Sequence, residues 1–254
     1  CQYDKRFLRR KVQPHVYAIV ESNHVDPNVV DYFCNGDAKL KEAMDTIISE
    51  LHDAKEYGSI LTVTPQDWSA LYARFAEITE DINMSRETAL RELLPLVQVA
   101  EALSQKYDVV VTNPPYMGNN GMGAKLSNYI KTYFADSKSD LFAVFIEKCA
   151  AMTSSTGLCA MITQHAWMFL ASYENLRSKM LSKQLVNMAH LGSRAFDEIS
   201  GEVVQTTSFV FTNTRIKNFI SIYIQLTGAV SERGKENAFL SGGYRFYKKQ
   251  EQFS

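Results

Sequence analysis

Apolar residues recur along this chain with two periods, and the places where the period changes mark its elements. From Asp37 to Tyr57 they fall at Leu40, Ala43, Met44, Ile47, Ile48 and Leu51, a spacing that lays one stripe along a helix. Asp26-Pro27 has the form of a helix cap followed by proline at the first helical position, which predicts a short helix through about Phe33. Thr64-Pro65-Gln66-Asp67 opens another helix, with Trp68, Leu71, Tyr72 and Phe75 on one face. A third runs from about Ser85 to Ser104, where Pro95 is expected to kink or split it. Before them, Val16 to Val20 reads as a strand belonging to a sheet.

The pattern changes at Tyr107. The β-branched run Val109 to Thr112 predicts a short buried strand, which two prolines then forbid from continuing. Lys125 to Phe134 is expected to be helical, after a glycine- and amide-rich loop from Met117 to Gly123. Ser139-Asp140 then caps a helix whose apolar face carries Leu141, Phe142, Val144, Phe145, Ile146 and Cys149. Gly157 closes the connection to a strand at Leu158 to Thr163. A helix at Ser172 to Ser182 leads to a strand at Val186 to Leu191. Strand, helix, strand, helix, strand implies right-handed crossovers and a mostly parallel α/β sheet. Ligands of such sheets bind beyond the carboxyl ends of the strands, where Asn113, Gln164 and Gly192 fall. Val203 to Thr212 and Phe219 to Leu226 have no helix between them and are expected to form an antiparallel edge. The organisation predicted is therefore a strand and flanking helix over residues 1–35, a mostly helical insertion over 36–106, a core over 107–230, and a peripheral tail or the start of another domain over 231–254.

Composition adds bounds rather than direction. The chain has 254 residues, 46% of them hydrophobic, enough for a sizeable core. Its formal net charge of −1 gives no overall basic footprint, so a nucleic-acid partner would have to be met by local patches. Cys1, Cys34, Cys149 and Cys159 lack the spacing of a zinc site or disulfide framework, so no metal is expected and the chain reads as cytoplasmic. No apolar run is long enough to predict a membrane span.

Candidate chemistry is concentrated in Asn113-Pro114-Pro115-Tyr116. The strand delivers Asn113 at its end with a carbonyl acceptor and an NH2 donor pair, the prolines stiffen the backbone, and Tyr116 adds a flat face. A rigid acceptor beside a stacking surface suits a planar amine. In its setting after Tyr107 to Thr112, this stretch resembles the Asn-Pro-Pro-Tyr signature of N6-adenine DNA methyltransferases. The likeness extends through Ser137 to Phe142, Gly157 to Phe169, Leu176-Arg177, Leu191 to Phe196 and Gly201 to Thr207. In those stretches the chain is most similar to the large adenine methyltransferases of BREX phage-exclusion systems and to type IIG restriction-modification enzymes.

The resemblance implies a Rossmann-like methyltransferase sheet and methyl transfer from S-adenosylmethionine to N6 of adenine in DNA. It implies that Asn113 and the Pro114 carbonyl accept the amine, that Pro115 belongs to the same catalytic signature, and that Tyr116 stacks on one face of an adenine flipped from duplex DNA. Phe196 stands where the family places an aromatic against the other face. His165 and His190 are assigned structural roles. Other proteins of a defence system are the further partners implied, and no membrane is. The sequence departs from the pattern in residues 1–106, where a glycine-rich turn between a strand and a helix is expected for the cofactor. The only glycines there are Gly36 and Gly58, in neither case such a turn. Glu21, after the strand expected at Val16 to Val20, is the residue the resemblance offers toward the cofactor's adenine. The expectation is thus of a sheet incomplete at its amino-terminal side, a piece that alone binds S-adenosylmethionine poorly and is inactive. A non-catalytic DNA-binding or assembly module with a degenerate methyltransferase fold is the alternative; methylation of RNA or of protein glutamine shares the same signature.

Overall fold

Residues 14–195 and 204–253 are described by the computed structural model, and the chain divides into two units, Cys1–Ser104 and Gln105–Ser254. The first unit is helical: α1 (Pro27–Cys34), α2 (Ala38–Glu50), the single turn α3 (Ala54–Tyr57), α4 (Trp68–Thr79) and α5 (Met84–Ser104). Three of these starts are set by a side chain. Asp26 accepts the Asn28 N–H, Asp37 those of Lys39 and Leu40, and Asp67 that of Ala70, satisfying donors a helix leaves orphaned. The buried stripe of α2 is Ala43, Met44 and Ile47, as its period requires. The helix stops early because Asp53 takes a left-handed conformation, held by two hydrogen bonds of 2.8 Å with the Asn23 amide. Helix α5 packs on α1, α2 and α4 and passes through Pro95 without splitting. Losing one helical hydrogen bond there costs about 3 kcal/mol, whereas Leu93, Leu96, Val97 and Ala100 are all buried around it, the larger side chains each contributing about 1.5–3 kcal/mol.

The strand expected at Val16 to Val20 does not form. Residues 14–22 have no regular strand structure, and Val16 is 86% exposed. A β-branched run without a neighbouring strand has no ladder to join, and no strand is found among the described residues of this unit.

In the second unit, β1 (Tyr107–Thr112), β2 (Thr153–Gln164), β3 (Gln184–Gly192), β4 (Thr206–Thr212), β5 (Ile220–Gln225) and β6 (Arg245–Lys249) form one sheet in the order β1-β2-β4-β3-β5-β6. Helices α6 (Ala124–Tyr133), α7 (Leu141–Met152), α8 (Glu174–Leu181) and α9 (Glu232–Leu240) lie between the strands in sequence. Strands β1, β2, β3 and β5 run one way; β4 and β6 run the other. Four of the six strands thus share one direction, while three of the five pairings are antiparallel, one of them at the edge made by β6. The second reversed strand lies elsewhere than expected: β4 does not pair with β5 but inserts between β2 and β3, and β5 joins β3 in parallel. Phe209 and Phe211 of β4 are fully buried, and Thr206, Thr207 and Thr212 are also buried, which is the environment of an interior strand.

Two details bear on the site. Strand β2 begins at Thr153, directly after α7, so the expected connection ending at Gly157 is instead the irregular start of the strand. Strand β1 is not buried as expected. Val110 packs on the core, but Val109 and Val111 are 61% and 71% exposed, because successive side chains alternate between faces and these two share the face turned away from that core. The core itself lies between the sheet and α7 and α8, built of Phe142, Ile146, Cys159, Met161, Trp167, Leu176, Phe209 and Phe211. Residues 231–254, set apart in the sequence reading, supply α9 and β6.

Candidate active site

The carboxyl ends of β1, β2 and β3 fall on one edge of the sheet, which brings the loop after Thr112 beside those after Gln164 and Gly192. Asn113 follows β1 immediately and is exposed; Pro114 is buried, Pro115 exposed, and Tyr116 half-buried. The buried proline fixes the backbone under an accessible amide. The Tyr116 hydroxyl reaches the Ile162 carbonyl of β2 at 3.5 Å, and its ring meets Phe142 edge-on at 6.2 Å between centroids. Phe142 in turn leans on Tyr173 at 5.8 Å. The aromatic face offered at the edge is therefore seated on the main core.

Asp140, which the sequence marks only as a helix cap, also holds this loop. Its carboxylate accepts the Phe142 N–H at 3.2 Å, capping α7, and the Met117 N–H at 3.0 Å. The Leu141 N–H donates to the Met117 carbonyl at 3.0 Å, and Gly118 and Asp140 form an isolated antiparallel bridge. The loop is thus stitched to the start of α7 one residue beyond Tyr116. Burial pushes the Asp140 carboxyl above its ordinary range against the backbone N–H groups that hold it down. Burial, and then the charge of Asp140, raise the Tyr116 phenol, which remains a neutral donor.

A second feature of the edge joins residues far apart in sequence. His165 Nδ1 and His190 Nε2 lie 2.9 Å apart, linking the ends of β2 and β3, and the Phe169 ring sits against both at 5.3 and 5.9 Å. Burial lowers both imidazoles; His165 and the Lys235 ammonium lower His190 further. Lys235 is buried and donates to the carbonyls of Leu191, Leu226 and Ala229, tying the ends of β3 and β5. Composition gives no sign of this pairing, because a hydrogen bond across 25 residues depends on strand register.

Of the other expected site residues, Phe196 lies outside the described residues. Glu21 belongs to the first unit, where its carboxylate stands 3.5 Å from Lys55 Nζ. The described residues do not fit a complete cradle for S-adenosylmethionine. Gly36 and Gly58, with φ of +79° and +62°, stand at helix ends, and no strand is described before β1. Among the described residues there is also no group of three or more His, Cys, Asp or Glu that could hold a metal ion, and no helix long and apolar enough to cross a membrane.

The family model for the Eco57I restriction-modification methylases matches residues 37–196, more than half of the chain. Adenine-specific methyltransferase PglX of Lacticaseibacillus casei (strain Zhang) is 50% identical over 150 residues, 59% of this chain and 12% of that protein. Adenine-specific methyltransferase BrxX of Escherichia coli O9:H4 (strain HS) is 36% identical over 262 aligned positions, 93% of this chain and 22% of that protein. Type II methyltransferase M.VspI of Vibrio sp. (strain 343) is 34% identical over 95 residues, 35% of this chain and 22% of that protein. The chain spans less than a quarter of the length of these curated relatives.

Proposed function

Because this chain belongs to the Eco57I restriction-modification methylase family, we propose that the protein in which it stands transfers a methyl group from S-adenosylmethionine to N6 of adenine in DNA, in restriction-modification or phage defence. The observation that carries this reading is the corner at the end of β1: an accessible Asn113 amide on a buried Pro114, one loop from a half-buried Tyr116 seated on the core. The curated relatives named as adenine-specific methyltransferases support it.

On this reading the substrate is duplex DNA with the adenine swung out of the stack. The Asn113 side-chain carbonyl and the Pro114 carbonyl each accept one N–H of the exocyclic amine, while Tyr116 lies against the ring. Accepting both hydrogens draws the nitrogen from a planar toward a pyramidal form and frees its lone pair to attack. Extrusion costs a few kcal/mol, which stacking of about 1–3 kcal/mol on an aromatic side chain offsets in part. Phe196 is assigned the opposite face of the base. S-adenosylmethionine would supply an electrophilic methyl group, the S–C electron pair staying on the departing sulfur as the N–C bond forms and one amine proton passing to solvent; the described residues account for the amine side alone. Other proteins of the defence system are proposed as partners of the whole protein.

The test is to offer the whole protein methyl-labelled S-adenosylmethionine together with duplex DNA, RNA or protein as acceptor. Label in N6-methyladenine of the duplex is the expected result. Label confined to RNA or to protein would overturn the choice of substrate.

A further inference from the structure

The loop after β2 carries apolar surface that packing leaves unexplained. Phe169 and Leu170 are 62% and 53% exposed, although the backbone beneath them is firmly held. Their N–H groups donate to the Ala166 carbonyl at 3.1 and 3.0 Å. Arg177 of α8 clamps the carbonyls of Trp167 and Leu170 at 2.9 and 2.5 Å, and the Trp167 indole donates to Thr163 at 3.2 Å. Two adjacent large side chains are therefore held out toward solvent. The hydrogen-bonded imidazoles of His165 and His190 flank the Phe169 ring, edge-on and tilted.

Its place is as telling as its exposure. Strand β2 runs past Met161, the register partner of Thr112, to Gln164, so this loop begins roughly 10 Å further along the strand direction than the end of β1. It lies at the same carboxyl-end edge of the sheet as Asn113, where the adenine reading brings the duplex. Proteins that open base steps do so with apolar side chains, phenylalanine and leucine among them.

We propose that Phe169, backed by His165 and His190, is a wedge that enters the DNA stack when the adenine leaves it. This rests on the adenine reading of the Asn113 corner. The ring takes the stacking contacts that the neighbouring bases lose, and so favours the extruded state. Phe169 is thereby a substrate-contacting residue of the whole protein, distinct from the groups that hold the amine.

The test uses the whole protein at saturating concentration on a duplex that carries its methylation sequence with 2-aminopurine at the target, whose fluorescence rises on extrusion. Phe169→Ala should lower the extrusion equilibrium by roughly fivefold to a hundredfold, the worth of one base–aromatic stack, and the fluorescence amplitude should fall with it. Phe169→Trp should keep most of the amplitude. Opposite a mismatched base, where unpairing is already largely done, the Ala variant should recover to within about twofold of the wild type. An unchanged amplitude on the matched duplex, or the same loss on both duplexes, would overturn the wedge. If the wild type methylates adenine in DNA while the Ala variant extrudes as well as it does, the wedge alone fails. If the wild type neither extrudes nor methylates adenine, the reading of the Asn113 corner fails with it.

Discussion

At the scale of single residues, the site depends on groups whose second task is invisible in the sequence. Asp140 is an obvious helix cap, but its bond to the Met117 N–H spans 23 residues and exists because the β1 loop folds back onto α7. Asp140→Ala should cost about 1–2 kcal/mol through the lost cap and also slow methyl transfer by loosening the loop. Asp140→Asn, still an acceptor, should recover most of both. Thermal unfolding and single-turnover methylation check this, and an Ala variant equal to the wild type in both contradicts it. The histidine pair gives a pH dependence. Both imidazoles are lowered in the fold, with Lys235 the charged neighbour of His190. Below the ordinary histidine range the unfolded chain therefore binds protons that the folded pair resists. The pair's contribution is at its full value at neutral pH and is lost as pH falls below about 6.5. The unfolding midpoint should drop more steeply from pH 7 to pH 5 in the wild type than in His165→Gln/His190→Gln; equal slopes would remove the pair from the explanation. What was legible here was Asn113 to Tyr116, because four adjacent residues carry that chemistry. The contacts of Asp140, His165 and His190 were not, because they are set by register and loop folding.

Among the elements, period and caps told most of the story. Asp26, Asp37, Asp67 and Asp140 each begin a helix where the sequence places one. The errors share a cause: a strand's neighbours are chosen by the whole sheet. Val16 to Val20 has the composition of a strand and finds no partner, while Thr206–Thr212, read as an edge, lies buried between β2 and β3. Gly157 shows how close that pairing is. A Cβ there would stand 2.8 Å from the Asp108 carbonyl of β1 and 2.9 Å from the Thr153 methyl, at the point where the register of β1 and β2 shifts. Only a residue without a side chain lets the two backbones approach so closely. Gly157→Ala should destabilise the second unit by about 1–3 kcal/mol, the usual cost of forced overpacking, read as a lower denaturant midpoint. A midpoint equal to that of the wild type would show that the pairing tolerates the methyl group.

For the whole molecule, two units each bury their own core, one entirely helical among its described residues and one built on a mixed sheet. The sheet class was legible because alternating strands and helices leave few topologies open; its strand order was not, because nothing local marks β4 as an interior strand. Family membership matches a span that crosses both units, residues 37–196, although the chemistry proposed is confined to a few residues at one sheet edge. At that edge, we propose, the protein receives the amine of an adenine. The direct measurement is the N6-methyladenine content of DNA from cells expressing the whole protein, wild type or Asn113→Ala, quantified by mass spectrometry with expression and thermal stability matched. Asn113 is exposed at a strand end, so its loss should leave the fold nearly unchanged. N6-methyladenine is expected with the wild type and none above background with Asn113→Ala; undiminished methylation by the variant would show that Asn113 does not hold the amine.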